Sequence, residues 1–396
     1  MTSQVALMNL YGVALASDTL ASRKADDGWI TSEGNNKIWS IPGHQVQALH
    51  YGNTILGGIP HKIQFEAWVR TLTKPLPNIQ AYVTSYKNYC AGPKSIHSRQ
   101  SEGYDLRRVF KDALNRLSNK VEPELTNLDS SEPEEVNQQK IHQILAEQAK
   151  SFEKFYRDSH KFHGVTKEWL EASITKFKID LNELIPEVFD YPVAPKNKTI
   201  LKRAMKSFAL AAWDIRSDTN LVFVGFGTKD EFAGSQRLRI RGVYNQKLLA
   251  ITEEALYVSP DDIDSRVIYA AQADAMKALL QGYHPRFGDR LEGVISRHIN
   301  EFLDSKKMER HYGTEITDKI TQELSDFSSS TFINPAFNAI MNMSPEQLAS
   351  AAKGLVLMQA AAAGIGTQTP TVGGPVEVST ITKQDGVVAG YGGGIG

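Results

Sequence analysis

The second residue of this chain, Thr2, is of a type that can catalyse a reaction by itself when it stands at a free N-terminus. Its hydroxyl would be the nucleophile, and its α-amine, with an unperturbed pKa of about 7.7–8, would be the base. The same chemistry needs a lysine that lowers the pKa of the amine, a carboxylate that holds the lysine, and backbone N–H groups that stabilise an oxyanion. If Met1 is removed, Thr2 becomes the terminus, and Asp18, Lys37 and Gly52 are the candidates for these three parts.

These candidates lie at the ends of predicted strands. Apolar runs at 5–8 and 11–17 predict a hairpin, and the runs at 37–41 and 46–51 predict a second pair of strands. The polar segment 23–36, which contains two glycines, predicts a loop between the two pairs. This strand pattern would bring the candidate residues to one end of the sheets.

The rest of the chain predicts further strands and helices around a long polar block. Residues 60–72 and 78–90 have helical spacing of apolar residues, and 220–258 predict a meander of short strands. Residues 91–216 are charged and poor in strand signals, so they predict a helical insertion with an exposed loop at 129–135. The remaining predictions are helices at 259–283, 286–305, 313–327 and 344–363, a strand at 375–382, and a glycine-rich tail at 390–396 that has no order of its own.

This order of elements predicts an α+β fold in which two layers of sheet carry helices on their outer sides. The predicted organisation has a first part at 1–90, the helical insertion at 91–216, and a second part at 217–396 that includes extra helices and the tail. The two parts would form one domain that the insertion interrupts.

Composition narrows the classes of function. The chain has 396 residues, a net charge of −1, 41% hydrophobic and 22% charged residues, so nothing points to a nucleic acid or an anionic membrane as partner. The single cysteine, Cys90, excludes an intramolecular disulfide and a zinc site built on several thiolates. His160 and His163 have helical spacing but no evident third ligand, so no metal and no cofactor are expected.

No targeting segment is predicted. The first apolar run has no lysine or arginine before it and is interrupted at Asn9 and Tyr11. No stretch is expected to come close to the roughly 18 apolar residues of a membrane span. A cytoplasmic location is therefore expected.

Several short motifs share the order and spacing of a known family. The run Gly-Val-Ala-Leu-Ala-Ser-Asp-Thr at 12–19 is similar to a pattern that ends in a catalytic aspartate, and the interval from Thr2 to Asp18 also matches. Asn-Lys-Ile at 36–38 resembles a strand with a catalytic lysine, and Tyr-Gly-Asn-Thr at 51–54 resembles a segment with an oxyanion-hole glycine. Together they resemble the proteasome β-type subunits of the N-terminal-nucleophile hydrolase superfamily, including bacterial ring-forming relatives. Weaker likeness elsewhere extends the resemblance to about half of the chain, but not to the insertion.

The resemblance implies a four-layer αββα sandwich of two antiparallel sheets, with the mainly helical insertion between its two parts. It implies a threonine peptidase or amidase in which Thr2 Oγ attacks a carbonyl, the α-amine takes the proton, and Lys37 tunes that amine. Asp18 would orient Lys37, and the Gly52 N–H would stabilise the oxyanion. Ser22 falls where the family contacts the substrate backbone.

The resemblance also implies a ring-like homo-oligomer that encloses its active sites. An unfoldase ATPase or a peptide substrate is the candidate partner. The candidate contacts between copies are the helix predicted at 60–72, on which Phe65 and Trp68 look exposed, and the insertion at 91–216.

Two departures from the family pattern leave other functions open. The accessory serine and aspartate of the family would fall near Ala271-Gln272 and at 369–372, where this chain has neither. The alternative function is therefore a catalytically inactive proteasome-like subunit that acts as a scaffold or binds a partner. An unrelated α+β binding protein would require the order of the motifs to be a coincidence.

Overall fold

The computed structural model describes residues 2–25, 28–32, 34–96, 102–128, 133–212, 218–307, 309, 311–366 and 372–391. Within these residues, antiparallel strands and helices form a mixed α+β fold. The strands are β1 (Ser3–Asn9), β2 (Gly12–Asp18), β3 (Ala21–Ala25), β4 (Gly28–Ser32), β5 (Ile38–Ser40), β6 (Val46–Tyr51), β7 (Ile55–Leu56), β8 (Ile59–Pro60), β9 (Thr219–Gly225), β10 (Gly234–Tyr244), β11 (Lys247–Thr252), β12 (Leu256–Tyr257), β13 (Ser265–Ala271), β14 (Val376–Thr382) and β15 (Gly386–Tyr391). The helices are α1 (His61–Val69), α2 (Ile79–Ala91), α3 (Glu102–Leu125), α4 (Glu134–Asp158), α5 (Lys167–Lys176), α6 (Leu181–Leu184), α7 (Pro195–Leu210), α8 (Asp274–Gln281), α9 (Pro285–Ser305), α10 (His311–Ser328), α11 (Asn334–Met341) and α12 (Pro345–Gly366), with a π-helical segment at Ser329–Ile333.

The first sheet has the order β13-β1-β2-β14-β15, and all neighbouring strands in it are antiparallel. β1 and β2 lie inside this sheet because both are mostly apolar runs in which every residue is buried. Side chains alternate between the two faces of a strand, so Ala6 and Met8 face the second sheet while Val5 and Leu7 face helices. The predicted first hairpin is confirmed.

The second sheet has the order β11-β10-β9-β6-β5 and is also antiparallel. Leu49 of β6 and Val222 of β9 lie in one apolar cluster with Ala6 and Met8, so the two sheets share a core. The predicted second strand pair and the predicted meander are confirmed, with small shifts at the strand ends.

Helices cover the outer face of each sheet. α8 and α12 pack on the first sheet, and α1 and α2 pack on the second. Phe65 and Trp68 of α1 are 1% and 0% exposed and contact the rings of Tyr86 and Phe223. The prediction that they are exposed contacts between copies is wrong, because α1 turns its aromatic face toward α2 and β9.

The described part of the insertion is mainly helical and packs on the second sheet. α3, α4 and α7 share an apolar core that also contains Tyr244 of β10 and Leu249 of β11. Asp105 of α3 is buried, and its Oδ2 accepts hydrogen bonds from the N–H groups of Gly57 and Val243, both at 2.9 Å. At this junction the insertion therefore shares an apolar core with the second sheet.

Two predicted elements are wrong. The helix expected at 259–283 is divided into strand β13 and the shorter helix α8, because the first half of this segment pairs along β1. The loop expected at 23–36 contains the hairpin of β3 and β4 instead. In the tail, β15 pairs with β14 at the edge of the first sheet. Residues 392–396 of the tail, and 129–132 of the predicted exposed loop, lie outside the described residues.

Helix α12 is long and apolar enough over Pro345–Ile365 to cross a membrane, by length and composition only. The expectation that no stretch comes close to such a span is therefore wrong for this helix. A single helix of this kind is a weak indication of a membrane, since the core helix of a soluble protein has the same composition. Here Leu348 and Val356 of α12 pack on the first sheet.

Candidate active site

Strand ends place the predicted residues around one cavity of about 820 Å³. Thr2 precedes β1, and its carbonyl oxygen accepts a hydrogen bond from the Gln272 N–H at 2.9 Å. Lys37 precedes β5, Gly52 follows β6, and both line the cavity together with Thr2. Asp18, the last residue of β2, is not among the described residues that line the cavity, but it contacts Lys37, which does line it. The structure thus brings three of the four predicted catalytic residues to one cavity and joins the fourth to them.

Lys37 and Asp18 form a buried ion pair, with 2.7 Å between Lys37 Nζ and Asp18 Oδ1. Lys37 Nζ also donates to the carbonyl oxygen of Leu20 at 2.7 Å. The carboxylate is held by backbone groups, because Oδ1 accepts from the Ser3 N–H at 2.9 Å and Oδ2 accepts from the Gly373 N–H at 3.2 Å. Segments far apart in the chain therefore fix the position of the ammonium group.

Burial lowers the pKa of Lys37, and the charge and hydrogen bond of Asp18 oppose this effect. A lysine with a lowered pKa exchanges a proton with a neighbouring amine more readily than a solvated lysine does. The pair therefore combines a fixed position with a lysine whose pKa burial lowers.

Thr2 and Lys37 share the cavity wall, but none of the described hydrogen bonds joins their side chains. The predicted contact of Lys37 with Asp18 is present, and the predicted contact of Lys37 with the Thr2 hydroxyl stays a prediction. Met1, which must be removed for catalysis, lies outside the described residues. Ser22 lies on β3 opposite Thr31 in the backbone register, and its side chain is outside what the structure describes.

Gly52 is at a turn that only glycine fits. Its φ is +91°, in the region that L side chains rarely adopt. A Cβ at this position would lie 2.0 Å from the carbonyl oxygen of Asp218. The chain can therefore pass from β6 along the cavity wall only with a glycine here.

Three basic residues of the described cavity wall were not predicted, namely His50, Lys62 and Arg239. The charged side chains on the described wall are all cationic, and Arg239 is paired with Glu253. These residues come from β6, α1 and β10, so their spacing in the sequence carries no signal. His50 lies within the predicted strand at 46–51, and its N–H donates to the Lys37 carbonyl oxygen at 2.9 Å.

Other side chains stand where the resemblance predicts an accessory serine and aspartate. Ala271 pairs with Ser3 at the end of β13, and Gln272 follows it on the cavity wall. Gln272 Oε1 is buried and has no hydrogen-bond partner among the described residues. Val372 is buried, and residues 367–371 lie outside the described residues. On the part of the cavity wall that the structure describes, there is no serine and no carboxylate.

Neither a metal site among the described residues nor a known relative indicates the function of the cavity. Within the described ranges, no cluster of three or more His, Cys, Asp or Glu side chains could hold a metal ion. The chain matches no protein-family model, and no curated protein matches it significantly. The function therefore has to be inferred from the cavity itself.

Proposed function

We propose that this chain is a threonine-type peptidase or amidase whose nucleophile is Thr2 after removal of Met1. The observation that carries the proposal is the buried Lys37–Asp18 ion pair beside the cavity that Thr2 and Gly52 line. A threonine next to a free amine, a lysine of lowered pKa and a glycine turn are the parts that acyl transfer by an N-terminal nucleophile uses.

The proposed reaction has two steps. In the first, the α-amine of Thr2 takes the hydroxyl proton while Oγ attacks the carbonyl carbon of an amide, and the Gly52 N–H donates to the resulting oxyanion. The C–N bond then breaks, the ammonium returns its proton to the leaving amine, and an ester on Thr2 remains. In the second step, water attacks this ester with the α-amine again as base, which releases the acid and restores Thr2.

Lys37 and Asp18 act through the α-amine. A nearby cation lowers the pKa of an amine, so Lys37 would keep the terminal amine unprotonated near neutral pH. Asp18 positions Lys37 and offsets the cost of burying its charge. The backbone donors of Ser3 and Gly373 position Asp18 in turn.

We also propose that the fold is the four-layer αββα sandwich of the N-terminal-nucleophile hydrolases. Two antiparallel sheets with a common core support this assignment, as do α8 and α12 on one outer face and α1 and α2 on the other. In this arrangement the insertion from α3 to α7 packs on the second sheet and enlarges the domain on that side.

A non-catalytic proteasome-like subunit is the second candidate, and one observation favours it. Ala271 and Gln272 lie next to Thr2 where the family has an accessory hydroxyl group. A proton relay through a serine is therefore not built at this point of the cavity. Such a protein would serve as a scaffold or bind a partner without covalent chemistry.

The ring-like homo-oligomer, its unfoldase or peptide partner and the cytoplasmic location remain predictions from the sequence and its resemblance. The burial of Phe65 and Trp68 removes one of the two surfaces that were expected to join the copies, and the insertion remains the other. Large apolar side chains are exposed elsewhere, including Phe287, Phe302 and Phe327 of α9 and α10. Light scattering at micromolar concentration tests the assembly, because the mass of a single chain would contradict it.

The experiment that tests the enzyme is intact mass measurement followed by labelling with a β-lactone, which acylates a nucleophilic hydroxyl. We expect the mass of Met1 to be lost, one adduct to map to Thr2, and the same protein to cleave fluorogenic peptides. Thr2→Ala should form no adduct and cleave nothing. Thr199→Ala removes an exposed hydroxyl on α7 and should match the parent. Retained Met1 together with no adduct would contradict the peptidase and favour the scaffold.

A further inference from the structure

A second cavity, here called the α3 cavity, lies between the turn at Gly52 and helix α3 of the insertion. Its volume is about 790 Å³, within the roughly 300–1,000 Å³ that is typical of small-molecule sites. Gly52 is the one described residue that it shares with the cavity at Thr2. The rest of its described wall comes from Asn53, from α3 and from the turn at Glu187. The proposed reaction gives this second cavity no role.

Helix α3 places three cations on the wall of the α3 cavity. Arg107 and Lys111 lie on one face of the helix, because residues four apart are neighbours there. Their side chains are 45% and 46% exposed, so a ligand can reach both charges. Arg108 is less available, because its side chain is 19% exposed and donates to the carbonyl oxygen of Arg241. Arg107 and Lys111 are therefore the groups that could bind a ligand, and Arg108 adds positive charge nearby.

One carboxylate of the chain itself is shared by these two cations. Glu187 Oε1 accepts a hydrogen bond from Arg107 Nη2, and Glu187 Oε2 accepts one from Lys111 Nζ at 3.3 Å. The other carboxylate on the described wall, Asp112, is paired with Arg116 at 3.1 Å. Two cations thus share a single negative charge, which leaves an excess of positive charge at this wall. The contact also shows that the oxygens of one anion can reach both cations at once.

The chemistry of the wall determines which ligand would fit. The Glu187 side chain is 33% exposed, and ion pairs that solvent reaches contribute little to stability, so another anion can displace it. The arginine fork binds two oxygens of a phosphate or a carboxylate at the same time. The hydroxyl of Tyr104 and the amide of Asn115 are further donors on the same wall. An anion with two or more negative charges would balance the excess positive charge better than one carboxylate does.

We propose that the α3 cavity is a binding site for a small multivalent oxyanion, a phosphorylated compound or a polycarboxylate, which Arg107 and Lys111 bind in place of Glu187. The ligand is not the substrate of the proposed reaction, and the site lies on the insertion rather than at Thr2. The inference therefore goes beyond the proposed function and does not depend on it.

Isothermal titration calorimetry of the full chain tests the site, with inorganic pyrophosphate, citrate and acetate as probes. The ionic strength is kept low and equal in all titrations, because salt screens the charges of exposed groups. We expect pyrophosphate or citrate to bind at one site per chain, at least about tenfold more tightly than acetate, which carries a single charge. Tighter binding of pyrophosphate than of citrate would identify a phosphorylated ligand, and the reverse order a polycarboxylate.

Substitutions on the two sides of the ion pair should change the affinity in opposite directions. Arg107→Met and Lys111→Met each remove a charged donor and should weaken binding about tenfold to a hundredfold, the range for a lost hydrogen bond to a charged group. Glu187→Gln removes the competing carboxylate and should tighten binding by about twofold to fivefold. Arg157→Met on α4 and Glu171→Gln on α5 are the matched controls, because each changes an ion-paired residue that does not line the α3 cavity. Both should match the parent.

Three results would each overturn the inference. The first is that neither pyrophosphate nor citrate binds saturably, and the second is an affinity that stays unchanged in both Arg107→Met and Lys111→Met. The third is unchanged or weaker binding in Glu187→Gln, because the carboxylate would then not compete with the ligand. If Arg107→Met does not fold, Lys111→Met and Glu187→Gln still decide. A chain that binds pyrophosphate but forms no adduct at Thr2 would contradict the peptidase and leave this site standing.

Discussion

Two buried ion pairs in this molecule join a cation to an aspartate, and they differ in what surrounds them. Lys37 and Asp18 meet at strand ends beside the cavity, with 2.7 Å between their charged atoms. Arg241 and Asp218 meet between β10 and the insertion, at 3.2 Å, and Arg241 is 1% exposed. The first pair borders open space and the second does not.

The site of Arg241 is closed by protein groups. Its Nη1 donates to the carbonyl oxygens of Phe208 and Ala211, both at 2.8 Å. Its guanidinium lies over the rings of Phe162 and Phe208. Arginine stays charged at any working pH and offers a planar set of donors, which suits a permanent contact. Arg241 therefore joins β10 to Asp218 before β9 and to the end of α7.

The site of Lys37 is open on one side. The described hydrogen bonds use two of the three N–H groups of its ammonium, to Asp18 and to the Leu20 carbonyl. The third has no hydrogen-bond partner among the described residues. Lysine also changes its protonation state readily when it is buried. The same type of ion pair is thus enclosed by protein groups at Arg241 and borders a cavity at Lys37.

The largest effect expected from this comparison is on reaction rate. Lys37→Met removes the cation beside the nucleophile but leaves Asp18 with its two backbone donors. We expect the rate of adduct formation or peptide cleavage to fall about 10²–10⁴-fold, the range for a lost acid–base group. Lys62→Met removes an exposed cation from the same cavity and should stay close to the parent rate. If the Lys37→Met protein reacts as fast as the parent, the Lys37–Asp18 pair is structural in the same way as the Arg241–Asp218 pair.

The next effect is on stability and concerns the closed pair. Arg241→Met leaves Asp218 buried without the cation that contacts it, and we expect the free energy of unfolding to fall by about 3–5 kcal/mol. Urea denaturation measures this loss. Arg239→Met is the control, because its partner Glu253 is partly exposed and such a pair contributes at most about 1 kcal/mol. Equal losses of unfolding free energy in Arg241→Met and Arg239→Met would show that enclosing an ion pair in protein adds no stability.

The smallest expected effect concerns Asp105, a buried aspartate that lies farther from its nearest cation than Asp18 and Asp218 do. Burial raises the pKa of Asp105 to about 6, opposed mainly by the charge of Arg108, whose Nε is 4.0 Å from the carboxylate. Between pH 4 and 6 the folded protein then holds a proton that the unfolded chain has released, so stability decreases as the pH rises through this range. The decrease should be on the order of 3 kcal/mol at most.

Asp105→Asn cannot titrate and should lack this decrease. Urea unfolding of the parent and the variant at several pH values between 4 and 7 measures the difference between them. Parallel pH profiles for the two proteins would show that Asp105 titrates as it does in the unfolded chain.

Much of the site was predictable because it lies on or beside apolar strands. Mostly apolar runs that are buried along nearly their whole length mark β1, β2 and β6; Asp18 ends β2 and Gly52 follows β6. The other wall residues were not predictable in this way. His50, Lys62 and Arg239 belong to three segments that meet only in the folded chain, and a single sequence contains no signal for such a meeting.

Local sequence patterns gave wrong predictions where tertiary contacts determine the secondary structure or the burial of a side chain. The segment 259–283 has helical residues in its second half, but β1 offers its first half a complete set of strand partners. Phe65 and Trp68 look exposed on an isolated helix, because nothing in the sequence of α1 shows that α2 and β9 will cover them. The prediction of helices near 286–305 and 313–327 needed no such partner and is confirmed by α9 and α10.

The start of β1 is anchored on two sides, because the Thr2 carbonyl accepts from Gln272 and the Ser3 N–H donates to Asp18. An affinity tag fused ahead of Thr2 would therefore begin at the cavity wall and take up the space that a substrate needs. It would also block the terminal amine that the proposed reaction uses. A tag placed after β15 leaves that amine free. Recombinant protein for these assays should therefore carry its tag at the C-terminus.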